Sequence, residues 1–147
     1  MKPTITWIVV ADGGQARVFE HDGPGKGMHQ IKDYSEAHLR DQDLVSDRSG
    51  RTNGGSTGNG SGIAYKNDPV AMRERQYVER LADVLELRRS EGAFQHLIIA
   101  AAPTALGDLR PALSEAVKAT IIGELPKDLT NIPVAKLPEH FDGLVAL

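Results

Sequence analysis

Apolar positions along the chain follow two periods and divide it into three stretches. In the first, Ile5–Val10 is a β-branched apolar run that predicts a strand. Asp12-Gly13-Gly14 reads as a tight turn in which glycine supplies positive φ. Ala16–Glu20 continues as a second strand, His21–Gly27 is a Gly/Pro turn, and Met28–Tyr34 predicts a third strand. Three short strands joined by turns make an antiparallel meander. The third stretch alternates between helix and strand. Asp68-Pro69 opens a helix, with Asp as N-cap and Pro at the first helical position. Val78, Leu81, Val84 and Leu85 share one face of it, Arg73, Glu79, Arg80 and Arg88 lie elsewhere, and Gly92 ends it. Gln95–Ala101 is nearly all apolar, as a strand buried on both faces should be. Thr104 is placed to cap a second helix reaching about Thr120, with Leu106, Leu109, Leu113, Ala116 and Val117 inward; Pro111 starts or kinks it. The β-branched residues of Ala119–Leu125 favour a strand, and Thr130-Asn131-Ile132-Pro133 opens a short terminal helix.

The middle stretch, Ser35–Asn67, has no such period. Its core, Ser46–Gly62, holds six glycines and four serines in seventeen residues. Such a composition buries too little apolar surface to offset its ordering entropy, so it predicts a mobile loop. A loop of that length inside a small domain is usually functional or disordered. The order β-β-β-loop-α-β-α-β-α predicts an α/β fold: a mixed sheet led by an antiparallel meander, with helices packed on it.

Composition narrows the function. At 147 residues the chain is one domain's worth, 1–147, and needs no disulfide or metal staple. It has no cysteine, which removes disulfides, thiol nucleophiles and thiolate metal sites and fits a reducing compartment. Trp7–Ala11 and Leu97–Pro103, the longest apolar runs, are too short to span a membrane. Asp12 interrupts the apolar run after Lys2 before any signal-peptide core forms. The expected location is cytoplasmic. Net charge is −3, yet Arg48–Arg80 carries six Lys/Arg against three Asp/Glu. That local excess points to RNA phosphate, against the alternative of arginines paired with Glu74 and Glu79 on a solvated helix face.

Three segments carry a resemblance. Trp7–Phe19, reading W-I-V-V-A-D-G-G-Q-A-R-V-F, resembles the V-A-D-G-x-x-A-R-x-F hairpin of the bacterial host-attachment proteins. Leu97–Arg110 looks like that family's L-V-A-P-P-x-x-L-G-x-L-R passage, with Ala101-Ala102-Pro103 in place of A-P-P. Lys127-Asp128-Leu129-Thr130 matches its K-D-L-T. The family is in turn similar in fold to the central domain of archaeal and eukaryotic peptide-release factors and of Pelota, a ribonuclease-H-like architecture. The resemblance implies a partner in ribosomal RNA or tRNA. In release factors a Gly-Gly-Gln loop comes after the meander. Here Gly13-Gly14-Gln15 falls in the first hairpin turn instead, and the matching segment reads Gly54-Gly55-Ser56 without Gln.

The resulting reading is a non-enzymatic module that binds a macromolecule, with an indirect role in attachment. Its RNA contacts would be Arg48, Arg51, Asn53, Gly54, Gly55, Lys66, Arg73, Arg75 and Arg80. Competing readings are a release-factor-like hydrolase, a metal-dependent nuclease using Asp12 with Asp33 and Asp108, and a protein–protein adaptor. No catalytic set, metal set or cofactor is assigned. Phosphate-loop, dinucleotide and serine-elbow motifs are missing, and the five histidines show no i,i+4 pair.

Overall fold

The computed structural model describes residues 4–40 and 68–147. Five strands form one mixed sheet: β1 (Thr6–Ala11), β2 (Gln15–His21), β3 (His29–Ser35), β4 (His96–Ala101) and β5 (Ile121–Leu125), in the order β3-β2-β1-β4-β5. β1 pairs antiparallel with β2 and parallel with β4; β2–β3 is antiparallel and β4–β5 parallel. Among the described residues the helices are α1 (Glu36–Arg40), α2 (Pro69–Ser90), α3 (Pro103–Ala112) and α4 (Glu115–Lys118), and 3-10 turns come after them at Val134–Lys136 and Pro138–Phe141. The expected α/β class, meander and parallel strands are all present.

β1 and β4 show why their sequences lack alternation. Trp7, Val9 and Ala11 of β1 and Leu97, Ile99 and Ala101 of β4 belong to one core layer. Ile8, Val10, Ile98 and Ala100 belong to a second. Both faces are therefore buried, which a strand can tolerate only if every position is apolar. The first layer is closed by Tyr77, Val78, Leu81, Ala82, Val84 and Leu85 of α2 and by Ala105, Leu106 and Leu109 of α3. Trp7 lies in this layer against Phe94, with ring centroids 4.9 Å apart. The second layer is closed by Leu129, Leu137 and Phe141 from the last stretch of chain. Arg17 holds that stretch down, donating through Nη1 to the carbonyls of Ile132 (2.8 Å) and Thr130 (3.3 Å).

Local chemistry sets the boundaries. The Asp68 carboxylate accepts from the Ala71 amide at 3.0 Å, as a helix N-cap should, with Pro69 in the first turn. Gly92, at φ +80°, ends the run after α2. In the β2–β3 turn, Gly23, Gly25 and Gly27 have positive φ, and buried His21 bonds through Nδ1 to the Gly27 carbonyl at 2.8 Å.

Five expectations are corrected. Thr104 does not cap α3: the helix starts at Pro103 behind Ala102, which offers no side-chain cap. Pro111 does not start the helix but sits in its last turn, two residues before the span breaks. The helical span to Thr120 is broken at Leu113, whose extended backbone leads to a new helix capped by Ser114. That break resets the helical phase, so Ala116, expected inward, is exposed while Val117 is buried. The terminal helix is two 3-10 turns, the tighter form found in short helical pieces.

Ser114 also ties α4 to α2. Its hydroxyl donates to Glu86 Oε1 at 2.6 Å, and the same carboxylate receives Arg89 Nε and Nη2 at 3.1 and 2.8 Å. The Arg89 bonds, then the Ser114 bond, pull the Glu86 pKa down to about 2.

These contacts set two expected outcomes. Leu81→Ala should cost about 2–5 kcal/mol and Asp68→Ala about 1 kcal/mol in urea unfolding. A carboxylate with a depressed folded pKa stabilises above its unfolded pKa and loses that contribution as pH falls through the folded one. Stability should therefore decline from about pH 4.5 toward pH 2, and Glu86→Gln should flatten that acid limb in pH-dependent thermal melts.

Candidate functional site

The carboxyl ends of the parallel strands β1 and β4 lie side by side, and the chain leaves them in opposite senses. After β1 it turns back into β2; after β4 it enters α3. Such a divergence opens a crevice outside the strand ends. A cleft of about 610 Å³ occupies this edge. The β1–β2 turn contributes Asp12, Gly13 and Gly14; α1 contributes Glu36; α2 contributes Val70, Arg73 and Glu74; Ala102 and α3 contribute Thr104, Ala105 and Asp108; and Asp128 completes it.

The turn is built by Asp12. Its Oδ1 accepts from the amides of Gly14 (2.8 Å) and Gln15 (2.9 Å), while its own amide donates to the Gln15 carbonyl at 2.9 Å. The expectation that the glycines supply positive φ here is corrected: neither Gly13 nor Gly14 has it. Gly13 is required for another reason. A Cβ on it would lie 2.7 Å from Glu74 Cγ and 2.9 Å from Glu74 Cβ, so α2 crosses the turn at a distance only glycine allows. Gly13-Gly14-Gln15 is thus a hairpin turn, as its place in the sequence predicts.

Asp128 is fixed from the other side. Its Oδ1 accepts from the Thr130 amide at 3.0 Å and hydroxyl at 2.5 Å, and the same hydroxyl lies 3.4 Å from Asp12 Oδ2. Burial raises the pKa of Asp108, with Arg75 opposing and Glu79 adding to the rise. Five carboxylates and one guanidinium, Arg73, line the cleft, so its field is negative.

The predicted RNA contacts are divided by this arrangement. Arg48, Arg51, Asn53, Gly54, Gly55 and Lys66 lie outside the described residues. Arg73 is exposed on the cleft wall. Arg75, two positions on and so on another face of the helix, pairs with Glu79 at 3.0 Å. Arg80 is half-buried further along α2. Of the three acids considered for a metal, Asp12 and Asp108 share the cleft, whereas Asp33 stands exposed on β3. Among the described residues no three His, Cys, Asp or Glu side chains are grouped to hold a metal ion. Nor is any described helix long and apolar enough to cross a membrane.

Sequence reasoning does not single out Glu36, Glu74 or Asp128 for the cleft. One signal does point there: ligand crevices open at the carboxyl ends of adjacent parallel strands, and β1 and β4 are both legible as strands. The three segments of resemblance meet here, through Asp12–Gly14, Ala102–Asp108 and Asp128.

Fold and cleft together define an α/β domain with a mixed sheet and a crevice at its carboxyl edge. The chain belongs to the family described as "Protein required for attachment to host cells", whose model matches residues 7–141. No curated protein sequence matches it.

The Gly13–Glu74 contact is directly testable. Gly13→Ala should destabilise by about 1–3 kcal/mol through overpacking. Pairing it with Glu74→Gly should restore much of the loss, read as a positive coupling in a double-mutant cycle of urea midpoints.

Proposed function

We propose that the protein is a non-enzymatic, cytoplasmic binding module that takes a macromolecular partner at the carboxyl edge of its sheet. The observation that carries this reading is the meeting of the hairpin, the strand-to-helix passage and the K-D-L-T segment around one cleft. The partner is ribosomal RNA or a ribosome-bound tRNA. Support comes from the excess of Lys/Arg over Asp/Glu between Arg48 and Arg80 and from exposed Arg73 on the cleft wall. The mixed sheet led by an antiparallel meander supports the likeness to ribonuclease-H-like domains and to the release-factor central domain. In this reading the arginines hold phosphate from the rim, and the effect on host-cell attachment is indirect.

A second reading, a protein–protein adaptor, is favoured by the lining itself. Five carboxylates against one guanidinium repel phosphate and attract a basic side chain. Co-sedimentation with bacterial ribosomes across a salt series separates the two. The RNA reading expects binding that weakens steeply with salt and drops on Arg73→Ala and on deletion of residues 50–62. Lack of binding at low salt overturns it and leaves the adaptor. In that case capture of a basic protein partner should be lost on Asp128→Asn and kept on Arg73→Ala.

A further inference from the structure

Both outer strands of the sheet carry the same irregularity. Along β2–β3 the register passes from Val18↔Lys32 to Phe19↔Gln30, so Ile31 is an extra residue without a partner. Along β4–β5 it passes from Leu97↔Ile121 to Ile98↔Gly123, and Ile122 is the extra residue. These two residues are also exposed, at 41% for Ile31 and 44% for Ile122. Each edge of the sheet thus combines a bulge with a solvent-facing isoleucine.

A strand at the edge of a sheet presents unpaired N–H and C=O groups, and a β-branched apolar residue on it favours the addition of another strand. A bulge does the opposite: it bends the strand, increases its local twist and breaks the regular spacing of those groups. We infer that the bulges at Ile31 and Ile122 are edge guards that keep the sheet from pairing with a second copy of this chain. β3 needs the guard more, because His29–Asp33 are all exposed. Among the described residues no strand pairs with the outer side of β3 or of β5. The neighbours Lys32 and Asp33 add charge to that edge; on β5, Glu124 is paired with Arg110 at 2.6 Å.

The test removes the extra residue. Variants lacking Ile31 or Ile122 are compared with the parent by light scattering on a sizing column over a concentration series, with circular dichroism to confirm folding. The inference expects a monomeric parent, and association strengthened roughly tenfold or more in the Ile31 deletion. A Lys32→Thr/Asp33→Thr variant keeps the bulge and removes the charge, and should stay monomeric. The inference is overturned if the parent already self-associates through β3, or if a folded deletion variant is no stickier than the parent. It is also overturned if the charge-free variant associates while its bulge is intact. That last variant keeps the test decisive should the deletions fail to fold.

Discussion

The double burial of β1 is the constraint on which the molecule rests. A strand covered on both faces satisfies its backbone only through its neighbours, so β1 needs β2 on one side and β4 on the other. The antiparallel neighbour is reached through a tight turn; the parallel one requires a crossover, which α2 supplies on its way back to β4. The helices then have one face to cover, and the other is left to the last stretch of chain. Everything at the carboxyl edge stems from these two opposite exits.

The cleft is walled where helix and turn approach each other closely. Glu74 rests on Gly13, bringing the first turns of α2 over the strand ends. Asp12 and Asp128, contributed by segments far apart in sequence, meet through one threonine hydroxyl. Their carboxylates hold turns together and also set the sign of the field in the cleft. A phosphate-bearing partner would have to approach by way of Arg73 and the rim, whereas a basic side chain would be drawn inward.

Much of the fold is legible because single residues carry it. Asp68 beside Pro69 marks a helix start, Gly92 its end, and the apolar run before Ala101 a buried strand, each through chemistry confined to a few neighbours. Tertiary partners decide the rest. Thr104 looks like a cap, but Pro103 already starts the helix and leaves the threonine on the cleft. Gly13 looks like a positive-φ residue, and only the position of Glu74 shows why it is glycine. Ser114 ties α4 to α2 through a partner, Glu86, that is 28 positions away and that no local pattern shows. The cleft is the least legible part: it assembles acids from five separate segments, and charge counting along the chain favours arginines instead.

The Arg17 clamp has a consequence for how the chain reaches this state. Its acceptors lie 113 and 115 positions downstream, so the second core layer cannot close until the chain has been made past Phe141. While the chain is being made, Ile8, Val10, Phe19 and Ile98 lack the cover of Leu129, Leu137 and Phe141 on that side, even after the helices have docked on the other. Contacts of such separation are costly in loop entropy and form late. The half-covered sheet is therefore the species in which newly made chains are most exposed to aggregation or to chaperone capture.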